Sequence, residues 1–503
     1  MQYESSALLY VALLVGGILF LSRWAKERKL NAITPAIGPW MPILSCWGAL
    51  KFLFRAQAIL EEGYVEYGGR PYRIAMLYEW HYIVSSPEAI DELQRAPEDV
   101  LSFMAVAEEN LQLAETLGSA VTTNTYHIPV LRTTLTRNLR KLHEDIYDEI
   151  CNSIAHCIPA TDDWTPVVAL DALLQIVART SGRIILGLPF CRNTELLDIM
   201  INFTTDVVTS GLVFSFTPSP LKPLVKPFIT KVDKMIDRAL AMLRPTIEQR
   251  QNMMEKQKHG EEWADKPNDI LQWLMDAAEG EEREPRALTV RFLLVCFASI
   301  HTTSMTLTQA LYRLAANPEY IAPLREEVES VLDQDGLSKA TMEKLRKVDS
   351  FFKETQRIDG LGCLLLTRKA LRDYTLADGT RVPAGCYVST TPSATHRARA
   401  CYDAPHAFDP WRFARMREEP AQSGRHQIVT PSAEHLAFGL GHHSCPGRYF
   451  AAVELKTIMA HLVMKYDFRL ENLKLGEIPP PMHISNIVVP NRTAKVLFRK
   501  RKD

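Results

Sequence analysis

Cys445, near the end of the 503-residue chain, has neighbours that could hold its sulfur as an anion. It lies in the stretch AFGLGHHSCPGRYFA, residues 437–451, between two glycines and directly before Pro446. Proline is favoured at the first position of a helix, and the free N–H groups and macrodipole at that end stabilise a thiolate. Gly441 and Gly447 allow backbone amides to approach the sulfur closely. These residues leave three uses open for Cys445: a buried small hydrophobe, a nucleophile or a metal ligand.

The same stretch favours iron in a planar cofactor over zinc. A zinc site would need further Cys or His ligands, whereas one thiolate suits the iron of a haem. His442 and His443 are adjacent, so their side chains point in different directions, and the sequence offers no fourth ligand. Phe438 is placed to cover one side of a planar ligand.

This stretch also resembles the haem-binding signature of the cytochrome P-450 family, F-x-x-G-x-[HR]-x-C-x-G. The matching residues are Phe438, Gly441, His443, Cys445 and Gly447. The resemblance implies haem b (iron protoporphyrin IX), bound by these residues, with Cys445 as the ligand of the iron. Three further motifs follow the family's order and extend the resemblance over nearly the whole chain.

The first of these motifs is Glu354-Thr-Gln-Arg357, which resembles the family's E-x-x-R. By spacing alone, its two charges share one helix face and would suit a solvated surface equally well. FDPWRF resembles the family's P-E-R-F segment, with Trp411 in place of the glutamate. The resemblance implies that Glu354, Arg357 and Arg412 form a buried structural network around the haem.

The second motif is ASIHTTS, from Ala298 to Ser304, which resembles the family's oxygen-handling segment [AG]-G-x-[DE]-T-[TS]. Ala298 keeps the small residue, Thr302 falls on the family's threonine, and His301 replaces the acid. A histidine can shuttle protons near neutral pH, so the resemblance implies that Thr302 and His301 relay protons to oxygen. The alternative is a core histidine satisfied by a backbone carbonyl. A histidine before Thr-Thr resembles fungal members that act on terpenoids.

The third set of residues would pair with the carboxylates of the haem. His443 matches the family's basic position before the cysteine, and Arg368 matches the arginine that follows the E-x-x-R helix. TYHIPVLRTTLTRNL resembles the family's third helix without its tryptophan, which makes His127 and Arg132 substitute candidates.

The resemblance implies a monooxygenase that uses O2 and takes electrons from an NADPH-dependent flavoprotein reductase, because the chain carries no flavin or nicotinamide fingerprint. Mostly aliphatic segments match the family's pocket by order and predict a hydrophobic, polycyclic substrate, such as a terpenoid of secondary metabolism. These segments are residues 100–106, 209–216, 297–298, 360–366 and 483–489. The alternatives are a desaturation, coupling or isomerisation on the same fold, and a non-enzymatic haem-thiolate sensor.

The elements that position these residues are mainly helical. An apolar helix is predicted from Leu288 to Ala316, ending at Asn317-Pro318, with further helices in residues 340–358 and 445–466. Short strands are predicted in residues 372–391, with a turn at Asp378-Gly379, and in residues 483–500. These elements predict a mainly α fold with a minor β part in a single large domain, and the resemblance implies that it is the cytochrome P-450 fold.

The N-terminus predicts a membrane anchor. Ser5–Ser22 is uncharged over 18 residues, which is just enough for a spanning helix, and Arg23, Lys26, Arg28 and Lys29 follow it. By the positive-inside rule, the catalytic domain faces the cytosol from the endoplasmic reticulum membrane. The predicted divisions are an anchor in residues 1–24, a basic, Pro-rich hinge in 25–48 and a catalytic domain in 49–503. Residues 216–229 are apolar enough to touch the same membrane.

Composition excludes other classes of protein. Lys+Arg number 58 against 59 Asp+Glu, a balance that argues against a nucleic-acid partner. The nine cysteines are odd in number and form no C-x-x-C, which suits free thiols in a reducing compartment.

Overall fold

Helices make up most of the computed structural model, which describes residues 24–25, 27–41, 44–76, 79–336, 338–422 and 424–502. The helices of eight or more residues in these ranges are α1 Ser45–Glu66, α2 Pro87–Arg95, α3 Phe103–Leu111, α4 Thr136–Cys157, α5 Ala169–Ile185, α6 Thr194–Ser215, α7 Lys222–Ile229, α8 Val232–Lys258, α9 Ile270–Ala277, α10 Pro285–Ala316, α11 Ile321–Asp335, α12 Arg346–Ile358 and α13 Arg448–Lys465.

The strands are short and lie beside the helical body. They are β1 Tyr72–Ala75, β2 Trp80–Ile83, β3 Leu101–Ser102, β4 Thr165–Val168, β5 Leu365–Ala370, β6 Tyr374–Thr375, β7 Arg381–Val382, β8 Tyr387–Thr390, β9 Tyr466–Leu470, β10 Met482–Ile484, β11 Ile487–Val489 and β12 Lys495–Lys500. One sheet has the order β1-β2-β8-β5-β3, a second has the order β4-β12-β9, and β6-β7 and β10-β11 form two-stranded pairs.

The predicted apolar helix is α10, which passes through the main hydrophobic core. It begins at Pro285, three residues before the predicted start, because proline fits the first turn of a helix. It ends at Ala316 as predicted, before Asn317 and Pro318. Helices α5, α6 and α8 pack against it, so its middle can place side chains deep inside the domain.

The other predicted elements are confirmed, with one division. Residues 340–358 form two helices, Lys339–Lys344 and α12, because Leu345 between them has φ −70° and ψ 81° and leaves the helical conformation. Strands β6 and β7 flank the predicted turn, in which Gly379 has φ +84°. Strands β10, β11 and β12 lie in the predicted C-terminal region.

The described residues cover only part of the N-terminal predictions. The predicted anchor, Ser5–Ser22, lies outside the described residues. Part of the predicted hinge contacts the domain, since the amide of Arg73 in β1 donates to the Pro35 carbonyl at 2.8 Å and Glu27 pairs with Arg73 at 3.1 Å. Of the described helices, α6 and α10 are long and apolar enough to cross a membrane, although at least half of each apolar window is buried in the protein.

Candidate active site around Cys445

A tight loop before α13 holds Cys445. The Cys445 amide donates to the Phe438 carbonyl at 2.8 Å, and the Ser444 amide donates to the Gly441 carbonyl at 3.1 Å. Gly441 has φ +67°, and a Cβ on it would lie 2.9 Å from the carbonyl oxygen of Gln94 at the end of α2. Only glycine fits this contact, so α2 and the cysteine loop are fixed against each other.

The groups around the sulfur of Cys445 act in opposite directions on its charge. Burial has the largest effect and raises the pKa of the Cys445 thiol overall, although the Gly447 and Arg448 amides and the charges of Arg448 and Arg132 act to lower it. A Cβ on Gly447 would meet no atom within 4 Å, so the space beside this glycine is open. Helix α13 begins at Arg448, two residues after Pro446, because Gly447 (φ −89°, ψ 4°) forms its N-cap. The cysteine therefore lies one turn before the helix rather than directly at its first residue.

One face of α10 is exposed inside the domain. Ala298 and Thr302 are accessible, although Cys296, Ile300 and Thr303 around them are buried. Residues four apart lie on the same face of a helix, and the Thr302 hydroxyl donates to the Ala298 carbonyl at 2.9 Å. Phe297, Ser299 and His301 at the same level are half-buried, so this part of α10 is most accessible at Ala298 and Thr302.

Arg368 on β5 has donors that fit an anionic ligand. It is only 2% exposed, and its Nη1 donates to the Thr367 carbonyl at 2.9 Å. Its Nε and Nη2 have no hydrogen-bond partner among the described residues. A buried cation with unpaired donors is costly, so these two nitrogens fit the carboxylate of a ligand held beside them.

Two further basic residues lie at the same place. The rings of Phe103 and His443 are 5.3 Å apart, and the Arg368 guanidinium is 5.8 Å from the same Phe103 ring. Arg132, in a short π-helical segment from Val130 to Leu135, donates to the His442 carbonyl at 2.8 Å. The structure therefore brings Arg368, His443 and Arg132 together around the cysteine loop.

Comparison with known families matches residues 37–498 to the family described as Cytochrome P450. The chain belongs to the cytochrome P450 family. Cytochrome P450 monooxygenase 103 of Postia placenta is 38% identical over 500 residues, covering 99% of each chain. Cytochrome P450 monooxygenase CYP512U6 of Ganoderma lucidum is 31% identical, covering 99% of this chain and 97% of its own. Among solved structures, the retinoic acid-bound cyanobacterial CYP120A1 shares the fold, with a TM-score of 0.68 at 18% identity over 90% of this chain and 96% of that chain.

Family membership makes this P450 a haem-containing monooxygenase that uses O2 and a redox partner reductase. The residues at the cysteine loop fit the haem, since the loop offers one thiol with anion-stabilising amides and Arg368 offers two unpaired donors. The roles predicted for the individual site residues stay predictions.

His301 contacts helix α6 in this P450. Its Nε2 lies 2.9 Å from the carbonyl oxygen of Ile201 on α6, and burial lowers the pKa of its imidazole. The contact links α10 to α6, which is the arrangement expected of a core histidine satisfied by a backbone carbonyl. The proton-relay role stays a prediction.

His127 lies in a different cluster from the other predicted cations. Its Nδ1 is 3.1 Å from Nη1 of Arg291, and burial and the charge of Arg291 lower the pKa of His127 to about 4. Arg291, on α10, also pairs with Glu282 and donates to the Ala120 carbonyl at 2.8 Å. Sequence reasoning missed Arg291, although an arginine directly before the apolar run FLLVCF was a signal of a buried partner.

The predicted structural residues meet in one buried network. Arg357 donates from Nη2 and Nε to the two carboxylate oxygens of Glu354, at 2.7 and 2.8 Å. Arg412 donates to the same carboxylate at 3.3 Å, and Arg357 also donates to the carbonyls of His396 and Pro405, each at 2.6 Å. These bonds join α12 to the segment that leads toward the cysteine loop.

Proposed function

We propose that this P450 is a membrane-anchored monooxygenase that inserts one oxygen atom of O2 into a hydrophobic substrate. The proposed substrate is a terpenoid or a related polycyclic intermediate of secondary metabolism. The observation that carries the proposal is the exposed face of Ala298 and Thr302 in the middle of the buried helix α10. A small residue and a hydroxyl on that face leave room for an apolar molecule close to a proton donor.

The proposed roles of the residues follow from their positions. Cys445 supplies the thiolate ligand of the haem iron, and the amides of Gly447 and Arg448 stabilise its negative charge. Arg368, His443 and Arg132 hold the haem carboxylates. When bound, the haem supplies the activation of O2, and the thiolate favours cleavage of the O–O bond. The Thr302 hydroxyl, which in this structure donates to the Ala298 carbonyl, would turn to give its Oγ1 proton to the substrate side and would take up a proton from solvent in exchange.

The aliphatic segments proposed to line the substrate pocket support a hydrophobic substrate. Two of the aliphatic segments lie side by side, because Gly362 bridges to Ile487 and the Cys363 amide donates to the Asn486 carbonyl at 3.0 Å. Ligand pockets lined mainly by aliphatic side chains favour apolar molecules.

The proposed location is the cytosolic face of the endoplasmic reticulum membrane, with residues 1–24 as anchor and 49–503 as catalytic domain. The proposed electron donor is an NADPH-dependent flavoprotein reductase. Arg137, Arg140 and Lys141, near the start of α4, are the candidate docking cations for it.

A second candidate is a non-hydroxylating reaction on the same haem, such as desaturation, coupling or isomerisation. The observation that favours it is His301, which replaces the family's acid and contacts the Ile201 carbonyl instead of Thr302.

The first prediction tests the axial ligand. The purified protein, reduced and exposed to carbon monoxide, shows the strongly red-shifted Soret band of a thiolate-ligated haem, because the Cys445 sulfur binds the iron. Cys445→Ser loses this band. Cys401→Ser, which changes another partly buried thiol, keeps it and serves as the control. A wild-type spectrum without the red-shifted band would contradict the assignment of Cys445 as the ligand of the iron.

Incubation with a reductase, NADPH and a panel of terpenoids then tests the reaction. A product that is heavier by one oxygen atom supports the monooxygenase. A rearranged or dehydrogenated product supports the second candidate. Neither product would be expected of a sensor.

A further inference from the structure

Glu98, between α2 and α3, has a carboxylate that joins two separate parts of the site. It accepts hydrogen bonds from the Ser102 hydroxyl at 2.5 Å and from the amides of Phe103 and Met104 at 3.1 and 2.8 Å. It also pairs with Nε2 of His443 at 2.9 Å. Burial raises the pKa of Glu98, but the hydrogen bonds from His443, Ser102 and the two amides lower it more, to about 2. The group is therefore ionised and well held, although its side chain is 39% exposed.

The contacts of Glu98 connect the start of α3, which is expected to face the substrate, to the cysteine loop. Phe103 is the first residue of α3, and it belongs to the aliphatic segment of residues 100–106 expected to face the substrate. Its ring lies against both His443 and Arg368. One carboxylate thus fixes the start of α3 and the imidazole two residues before Cys445.

Nε2 of His443 is directed to Glu98, so Nδ1 is the ring nitrogen left to face a carboxylate of the haem. It donates to that carboxylate in the imidazolium form, in which both ring nitrogens carry a proton. Carboxylates that orient a histidine through its second nitrogen commonly set how that histidine binds its ligand.

We propose that Glu98 is a positioning residue for the haem, which acts through His443 and ties the start of α3 to the cysteine loop. The proposal rests on the haem site proposed above. Glu98 itself does not touch the haem in this proposal, so its loss weakens haem retention without removing the axial ligand.

The test measures the transfer of haem from the full-length holoprotein to excess apomyoglobin. Glu98→Gln keeps the shape of the side chain but removes its charge, and it increases the rate of haem loss by about tenfold, as expected when a charge-assisted hydrogen bond is lost. Hydrogen–deuterium exchange at the Phe103 and Met104 amides also becomes faster. Glu98→Asp, which keeps the charge on a shorter chain, gives a rate of haem loss between those of wild type and Glu98→Gln.

The matched control is Glu329→Gln. Glu329 is equally exposed, at 39%, and pairs with Arg501 at 2.7 Å away from the cysteine loop. Its replacement leaves the rate of haem loss unchanged.

A double-mutant cycle separates positioning from simple helix capping. If Glu98 acts through His443, Glu98→Gln has no further effect on haem loss in a His443→Gln background. Faster amide exchange with an unchanged rate of haem loss, or an undiminished effect in the His443→Gln background, would overturn the proposal. A wild-type protein without the thiolate Soret band would instead refute the proposed function, so the two failures are distinguishable.

Discussion

At the scale of single residues, Glu354 is the acid that pairs with two buried arginines. It is fully buried, and two guanidiniums share its carboxylate. Removing one partner of a buried ion pair costs far more than the pair contributes, because the remaining charges stay desolvated. Arg357 and Arg412 would then be left in the core with only backbone carbonyls as partners.

Glu354→Ala is therefore expected to destabilise the fold by roughly 3–5 kcal/mol, measured by thermal denaturation together with haem content. The control is Glu343→Ala, which removes an exposed i,i+4 pair with Lys339 at 3.0 Å and changes stability by less than about 1 kcal/mol. Equal effects of the two substitutions would contradict the network's role.

Cys445, Glu354 and Thr302 could be proposed from the sequence because each lies in a short motif that resembles one of the family, and their roles stay predictions. The partners of these motifs could not be found in the same way. Glu98 and His443 are far apart in sequence, and no residue near Glu98 indicates which basic side chain its carboxylate pairs with. His127 was assigned to the haem carboxylates by position alone, whereas the structure places it beside Arg291, a contact that depends on tertiary packing.

At the scale of elements, a single hydrogen bond between α13 and α5 involves a buried acid. Glu454 is inaccessible, accepts a hydrogen bond from Ser181 at 3.3 Å, and has no partner for Oε2 among the described residues. Burial raises the pKa of Glu454 to about 8. The folded protein therefore binds a proton here that the unfolded chain releases above its ordinary pKa, so stability falls as pH rises toward 8.

Glu454→Gln removes this dependence, because glutamine mimics the protonated acid. The stability of the variant relative to wild type is expected to increase between about pH 5.5 and about pH 8, by at most about 1.4 kcal/mol per pH unit. Chemical denaturation at several pH values measures it. A difference that is the same at both ends of the range would contradict the expected titration.

Element prediction succeeded where the signal is local. The end of α10 at Ala316 and the turn at Gly379 follow from Pro318 and from glycine's freedom at positive φ. The parallel pairing of β2 with β8 has no local signal, since it joins residues about 300 positions apart.

At the scale of the whole molecule, α7 presents apolar side chains that the described chain does not cover. Leu224 is 70% exposed and Phe228 is 90% exposed, and they share one face of α7. This face fits the proposed contact of residues 216–229 with the membrane.

The double substitution Leu224→Glu/Phe228→Glu is expected to weaken vesicle binding of a chain that lacks residues 1–23 by about tenfold or more, because two apolar side chains no longer enter the lipid. Co-sedimentation with phospholipid vesicles measures the binding. Leu475→Glu is the control, since Leu475 is 80% exposed on a different loop. Equal losses in both variants would mean that α7 makes no specific contact.

The sheet order also determines when this protein can finish folding. Strand β12, from the last residues of the chain, is the central strand between β4 and β9, and β8 joins the N-terminal β1-β2 hairpin to β5. During synthesis, β4 has no partner until the C-terminus leaves the ribosome, and the cysteine loop also emerges late. Long-range pairings of this kind form slowly and leave apolar surface exposed. Haem capture is therefore expected to follow the synthesis of β12.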